Sequence, residues 1–194
     1  MQHQTSVEIL VWDRVTRLFH WFFALSIFGA WGTAELNYMD IHYLLGYFLT
    51  VLIAIRIPWG FVGGHYSQFR SFMYSPSEMW AYLQSSLKGR PMHYVGHNPL
   101  GAAMVYMLLL SAMTLLLTGH INLASIEFEG PFVSLINPIS DDASELAYEI
   151  HEFASDLIGL LIPLHIAGAI TASIQHKENL IKAMITGTKH TEVN

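Results

Sequence analysis

The stretch that decides the fold is Glu149-Ile-His151-Glu-Phe-Ala-Ser-Asp-Leu-Ile-Gly-Leu-Leu-Ile-Pro-Leu-His165-Ile-Ala-Gly168. Its two histidines stand fourteen residues apart in an otherwise apolar run. In a helix, that separation is about 40° short of four full turns and about 21 Å of rise, so both imidazoles face the same way at two depths. If the run spans a bilayer, each histidine lies near one boundary of a hydrocarbon core about 30 Å thick. Because a polar ring inside a membrane is costly without a partner, the stretch predicts a functional site with partners elsewhere in the chain.

The composition is that of an integral membrane protein. Of 194 residues, 53% are hydrophobic and 12% are charged, which is about half the charged fraction of a typical soluble domain. The chain has no cysteine and eleven histidines. The lack of cysteine excludes disulfides, c-type haem attachment, cysteine-ligated iron–sulfur clusters and thiolate zinc sites. The composition therefore favours imidazole chemistry.

Four apolar runs predict one membrane domain over residues 1–194, an all-α bundle of four transmembrane helices. The approximate spans are 15–36, 41–62, 99–118 and 149–174. We expect the first run to be a retained helix and not a signal peptide, since it is long and shows no small-residue cleavage site. The segments between the second, third and fourth runs, 65–97 and 119–148, are predicted to be loops, the first with a short interfacial helix at about 78–87.

Charge orients the four predicted spans. All nine basic residues fall on one side of the proposed membrane: Arg14, Arg17, Arg56, Arg70, Lys88, Arg90, Lys177, Lys182 and Lys189. The positive-inside rule then places both termini in the cytoplasm of a multi-pass protein of the bacterial inner membrane. The charged residues on the opposite side are all acidic: Glu35, Asp40, Glu127, Glu129, Asp141, Asp142, Glu145 and Glu149. This acidic outer face is either an ordinary solvated surface or a docking patch for a basic redox partner.

Four histidines fall into two pairs according to their predicted depth in the membrane. His20 lies one turn into the first helix from the inner side, roughly sixteen residues before that helix ends, and His165 lies fourteen residues past the outer end of the fourth helix. These two share an inner depth. His42 and His151 open the second and fourth helices at the outer face, so they share an outer depth. The third helix supplies no ligand in this interpretation.

Haem is the cofactor that suits paired imidazoles. Zinc needs about four ligands in a tight tetrahedron, whereas haem iron needs one axial ligand on each face, and its porphyrin buries well among apolar side chains. Two bis-histidine haem groups are therefore predicted, His20 with His165 and His42 with His151. Gly46 and Gly159 remove side chains where a flat macrocycle needs room. Two six-coordinate haem irons at different depths would provide a path for electrons across the bilayer.

Three further residues are candidates for cofactor contacts. Arg17 and Arg56 lie near the inner depth and suit the haem propionates as fork donors, although anchoring at the lipid phosphates explains them equally well. His120, at the outer end of the third helix, could contact a haem propionate or a quinone; the alternative is a hydrogen-bonded histidine at a helix end.

The chain resembles the bacterial cytochrome b561 family, and most closely its branch of b-type cytochrome subunits of nickel–iron hydrogenases. The matching stretches run from about residue 11 to 189 and are Val11-Trp-Asp-Arg-Val-Thr-Arg-Leu-Phe-His20-Trp21, His42-Tyr-Leu-Leu-Gly46, Arg56-Ile-Pro-Trp-Gly-Phe-Val-Gly63, Gly96-His-Asn-Pro-Leu-Gly101, His151-Glu152 with His165, and His176-Lys-Glu-Asn-Leu-Ile-Lys-Ala-Met-Ile-Thr-Gly187. The resemblance implies a four-helix membrane bundle with two b-type haems, ligated by the same four histidines. It also implies electron exchange with quinone or with a partner redox protein.

These observations predict an electron-transfer protein between the quinone pool and a periplasmic redox partner such as a c-type cytochrome. Membrane lipid surrounds it, a bound quinone and a quinol or quinone oxidoreductase activity are further expectations, and no nucleic-acid partner is expected. Two other functions stay open: a membrane anchor that wires a larger dehydrogenase or hydrogenase, and a superoxide:quinone oxidoreductase. Eight outer carboxylates disfavour superoxide because they repel an anion. A transporter without haem has no reason to pair histidines at two depths.

Overall fold

The computed structural model describes residues 6–136 and 139–192, and most of them are helical. The elements, in chain order, are β1 (Ser6–Leu10), α1 (Arg14–Glu35), α2 (Met39–Val62), two short 3₁₀ segments (His65–Ser67 and Phe69–Phe72), α3 (Pro76–Leu87), α4 (Pro99–Ser125), α5 (Val133–Ile136), α6 (Asp141–His176), α7 (Leu180–Thr186) and β2 (Thr188–Glu192). The short helix predicted at about 78–87 is confirmed as α3, which begins with a capping box formed by Ser75 and Glu78; its interfacial position stays a prediction.

Three helices in the described part of the chain are long and apolar enough to cross a membrane. They are α2, α4 and α6, whose most apolar 18-residue windows have mean hydropathies of 1.7, 2.1 and 2.0. Helix α1 has 22 residues, a length of about 33 Å at 1.5 Å per residue. It does not join the three, because its arginines, tryptophans and glycines dilute its apolar character. The fourth span and the side of the termini therefore stay predictions.

Two predicted helix boundaries around the loop at 119–148 are wrong. Helix α4 continues to Ser125, and α6 begins at Asp141, so the loop is much shorter than predicted. Ser140 caps α6, since its Oγ accepts from the backbone N–H of Ala143 at 3.3 Å. The acidic side chains of Asp141 and Asp142 in the first turn add stability beside the positive end of the helix dipole. His151 therefore lies ten residues inside α6 and does not open it.

The chain divides into two compact units, which we call the terminal unit and the central unit. The terminal unit is built from Met1–Ala24, Ala54–Val105 and Leu164–Asn194. In it, β1 and β2 form an antiparallel pair in which Ile9 stands opposite Lys189. This pairing was not predicted. It brings Val11 and Trp12 against Ala183 of α7, where all three are buried.

The central unit is built from Leu25–Ile53 and Tyr106–Pro163. Its buried positions include small residues on three helices, namely Ala30, Ala112 and Ala154, and small side chains let membrane helices pack closely. Large apolar side chains lie on the outside instead, among them Trp31 and Leu110, which are 60% and 62% exposed. An apolar exterior of this kind suits contact with lipid.

Candidate functional site

The rings of His42, on α2, and His151, on α6, lie close together in the central unit. Their ring centroids lie 6.3 Å apart, with an angle of 73° between the ring planes. His42 Nδ1 lies 2.9 Å from the carbonyl oxygen of Ala30. Because a carbonyl only accepts, this Nδ1 carries the proton, and Nε2 keeps the lone pair that binds a metal. The predicted His42–His151 pair is therefore brought together, and Nε2 of His42 is free to bind a metal.

His151 is held in the same tautomer by a side chain of α4. Its Nδ1 lies 3.0 Å from Thr118 Oγ1, and the same hydroxyl lies 2.8 Å from the carbonyl oxygen of Thr114. The hydroxyl donates its one proton to that carbonyl and accepts from His151. Nε2 of His151 is therefore also the nitrogen with a free lone pair.

The His20 and His165 rings form the equivalent pair in the terminal unit. Their centroids lie 6.2 Å apart, with an angle of 50° between the planes. His20 Nδ1 is shielded from solvent and has no hydrogen-bond partner among the described residues. The second predicted pair thus repeats the spacing of the first, but among the described residues His20 lacks the Nδ1 hydrogen bond that holds His42 and His151.

The spacing in both pairs matches two imidazoles on opposite sides of one metal ion. A metal–imidazole bond is about 2 Å long and a ring nitrogen lies roughly 1 Å from the ring centroid, so the two centroids stand about 6 Å apart. Among the described residues, no three His, Asp or Glu side chains form a group that could hold a metal ion. Two imidazoles alone leave most ligands to the cofactor, as in a porphyrin.

Both predicted glycines border free space. A β-carbon built on Gly46 or on Gly159 meets no other atom within 4 Å. Both glycines belong to the central unit, which holds the His42–His151 pair. The free space is compatible with the predicted macrocycle.

Helix α4 contributes to the site without supplying a ligand, and this contribution was not predicted. A β-carbon on Gly119 would lie 3.1 Å from Cε1 of His151, so a larger residue there would require the ring to move away from α4 by a few tenths of an ångström. Thr118, one residue earlier, accepts the hydrogen bond from that ring. The sequence marks these residues only weakly, as a Thr-Gly-His triplet within an apolar run.

His120 follows Gly119 and lies inside α4, not at its end. Its ring lies 5.4 Å from the ring of Tyr47 and 5.2 Å from that of Phe132. Its Nε2 is 2.9 Å from the hydroxyl of Thr50. A protein partner thus uses one ring nitrogen, and a contact between His120 and a propionate or quinone stays a prediction.

Arg17 and Arg56 lie in the terminal unit with the His20–His165 pair. Arg56 is only 4% exposed; its guanidinium donates to the carbonyl oxygen of Ser67 at 3.2 Å and lies 4.8 Å from the ring centroid of Phe69. Arg17 Nη1 donates to the carbonyl oxygen of Ile185 at 2.5 Å. Both guanidinium groups thus contact backbone carbonyls within the terminal unit, and a contact of either with a propionate stays a prediction.

The structure adds His97, which lies between α3 and α4. Its ring lies between those of Trp12 and Phe72, at centroid distances of 4.7 and 4.5 Å. Burial, followed by the charge of Arg56 nearby, lowers the pKa of His97 to about 3. Its Nδ1 is shielded from solvent and has no partner among the described residues. His97 is therefore a neutral, enclosed imidazole in the unit that holds the His20–His165 pair.

Comparison with known proteins gives one family. The model of the family described as prokaryotic cytochrome b561 matches residues 11–187. A probable Ni/Fe-hydrogenase B-type cytochrome subunit from Cupriavidus necator is 25% identical over 91% of this chain and 85% of its own length. The Azotobacter vinelandii protein of the same name is 26% identical over 96% and 90%, and the probable Ni/Fe-hydrogenase 1 B-type cytochrome subunit of Escherichia coli K12 is 25% identical over 76% and 68%. No solved structure matches.

These matches confirm the resemblance predicted from the motifs. The family match covers most of the chain and includes both histidine pairs. The chain belongs to the prokaryotic cytochrome b561 family, a family of membrane proteins, and is a b-type cytochrome that carries electrons on haem.

Proposed function

We propose that the chain is a diheme b-type cytochrome that transfers electrons between membrane quinone and a redox partner on the periplasmic side. The observation that carries the proposal is the repeated spacing of two histidine pairs, with centroids 6.2 and 6.3 Å apart. Haem supplies reversible one-electron chemistry when it is bound. The role of the four histidines is to hold each group from two opposite sides and to keep other ligands away from it.

The topology belongs to the proposal. Helix α1 acts as the fourth span beside α2, α4 and α6, and both termini lie in the cytoplasm, as the one-sided placement of all nine basic residues supports. Arg17 and Arg56, in the terminal unit, would then sit near the cytoplasmic boundary. There they offer fork-shaped donors to the carboxylates of the inner haem.

The partner is proposed to dock on the acidic outer face. That face carries eight carboxylates and no basic residue, and such a field speeds encounter with a basic soluble protein. A c-type cytochrome is one partner with this chemistry. The same carboxylates repel superoxide, so they disfavour the superoxide:quinone oxidoreductase reading.

A second candidate is a membrane subunit that anchors and wires a larger enzyme. The names of the relatives favour it, since each describes a subunit of a probable Ni/Fe-hydrogenase. In that case the periplasmic partner is a hydrogenase or a similar dehydrogenase, held in a stable complex and not met briefly.

One experiment separates the two candidates. The chain is purified from membranes in mild detergent without added partner, and reduction of its haem by a short-chain quinol is followed in a stopped-flow spectrometer. Fast quinol reduction of the isolated chain, followed by salt-sensitive oxidation by a basic c-type cytochrome, supports the first candidate. Co-purification of a stable redox enzyme supports the second. Haem that quinol cannot reduce, in a chain that also co-purifies no redox enzyme, would contradict both.

A further inference from the structure

We propose that Thr118 is a positioning residue for His151, and that its hydroxyl lowers the reduction potential of the haem that His151 ligates. This inference rests on the proposed function, because it takes His151 to be an axial ligand. Thr118 is on the helix that supplies no ligand, and nothing in the sequence assigns it a role.

The hydroxyl of Thr118 is fixed from one side. It is 2.8 Å from the carbonyl oxygen of Thr114, the back-bond that threonine commonly makes inside a helix. The residue is only 5% exposed, so water does not compete for the oxygen. One lone pair is left for the neighbouring ring, and His151 Nδ1 lies 3.0 Å away.

That hydrogen bond, together with one from His151 to the backbone of Leu115, decides which nitrogen of His151 is available. With the Nδ1 proton held by an acceptor, the Nε2 lone pair is the one that faces a metal. Gly119 allows this contact, because any β-carbon there would press on Cε1 of the same ring. Thr118 and Gly119 together define the distance and the rotation of the ring.

A hydrogen bond to the outer nitrogen also changes the ligand electronically. An axial histidine that donates its second N–H to the protein is a more basic ligand, and such outer partners tune the metal. A more basic ligand favours the ferric state and lowers the potential. His42 has the same support from the Ala30 carbonyl, whereas His20 Nδ1 has no partner among the described residues. The haem of the His42–His151 pair is therefore expected to have the lower potential.

The test is a redox titration of the purified haem-loaded protein, with Thr118→Val, Thr118→Ser and Thr114→Val. Valine matches threonine in shape and lacks the hydroxyl, while serine keeps the hydroxyl. Among the described residues, the Thr114 side chain bonds only within its own helix, at the carbonyl oxygen of Leu110, so it is the matched control. Thr118→Val should raise one of the two midpoint potentials by about 59 mV. For a one-electron couple, this shift is a tenfold change in the reduced-to-oxidised ratio. Thr118→Ser and Thr114→Val should stay at the wild-type values.

A second readout does not depend on potential. The ferric electron paramagnetic resonance signal of the same haem reports the angle between the two imidazole planes, which is 73° here. Thr118→Val should change that signal and leave the other haem's signal alone, because the ring loses its rotational restraint. Thr118→Ala serves as a second hydroxyl-free variant if the valine protein does not assemble.

Two results would overturn the inference while leaving the proposed function in place. The first is a Thr118→Val protein with both haems, both potentials and both signals unchanged. The second is a Thr118→Ser protein shifted as far as Thr118→Val, which would show that loss of the hydroxyl is not what changes the potential. A wild-type chain that holds no haem would contradict the proposed function itself, and this inference with it.

Discussion

Gly119 of α4 lies against the ring of His151, so closely that a β-carbon on Gly119 would stand 3.1 Å from Cε1 of the histidine and 3.6 Å from its Nδ1. Glycine inside a helix normally costs up to about 1 kcal/mol relative to alanine. At Gly119, this cost accompanies a close contact, because a side chain there would displace the His151 ring. Gly119 is thus part of the site, although it carries no functional group.

Gly119→Ala should weaken haem binding in the central unit, and Gly119→Val should abolish it, because each added atom displaces the His151 ring. Gly32→Ala is the matched control, since a β-carbon there meets nothing within 4 Å. The control should be neutral or slightly stabilising because alanine favours helix. Haem content by pyridine haemochrome measures the effect, and equal haem in the Gly119 variants and wild type would contradict it.

Asp13 joins the start of α1 to the segment after α2. Its carboxylate accepts from Thr16 N at 2.8 Å, Ser67 Oγ at 2.6 Å and Trp59 Nε1 at 3.1 Å. Burial acts to raise the pKa of Asp13, but these hydrogen bonds outweigh it and bring the pKa below its usual value. Asp13 is therefore a carboxylate at neutral pH and the helix cap of α1.

Asp13→Ala should lower the free energy of unfolding by about 2 kcal/mol, which combines a lost helix cap with donors left unsatisfied. Titration with a denaturing detergent, followed by circular dichroism, gives the number. Glu8→Ala, an exposed position on β1, should cost little. If both variants unfolded alike, the carboxylate network would not contribute to stability.

Glu178 supplies the pH dependence. It accepts from His93 Nε2 at 2.6 Å and pairs with Lys189 Nζ at 3.2 Å. Burial acts to raise the pKa of Glu178, and the bond from His93 and the charge of Lys189 lower it further than burial raises it. A lowered folded-state pKa gives stability that is complete above the unfolded value, about 4.3, and is lost as pH falls through the folded value.

Glu178→Gln should therefore be less stable than wild type at neutral pH, and the difference should shrink below about pH 4 as the wild-type carboxylate protonates. Unfolding midpoints between about pH 3 and pH 7 test the prediction. Glu8→Gln, the same substitution at an exposed position of β1, is the control. A Glu178→Gln difference that grew on acidification would have the wrong sign.

Arg56 combines burial with positive charge in the unit of the His20–His165 pair. Arg56→Leu should lower the midpoint potential of the inner haem, because losing a nearby cation favours the ferric state. Arg70→Leu removes the same charge from an exposed site, where the side chain bonds only to Gln68 within the described contacts, and should leave both potentials alone. Equal shifts in the two variants would point to a general surface-charge effect.

Much of the site could be predicted from the sequence because it follows helical periodicity. The fourteen-residue interval between His151 and His165 fixes two rings on one helix face, and the ends of the apolar runs set the depths of His20 and His42. All four histidines then meet in the predicted pairs.

The rest depends on contacts between distant positions, for which periodicity gives no signal. Thr118 and His151 are 33 residues apart, and a threonine in an apolar run is usually only a packing residue. The β1–β2 pairing joins the two ends of the chain. The early start of α6 depends on Ser140 as a cap, because the polar composition of its first turns is also typical of a loop.

The central claim is that four histidines hold two haems in two specific pairs. Pyridine haemochrome quantitation on the detergent-purified chain, repeated for alanine variants of His20, His42, His151 and His165, tests it most directly. The wild-type chain should hold two b haems. His42→Ala and His151→Ala should lose one and the same haem, identified by its spectrum, and His20→Ala and His165→Ala should lose the other. A wild-type chain with one haem or none, or haem retained in all four variants, would contradict the account.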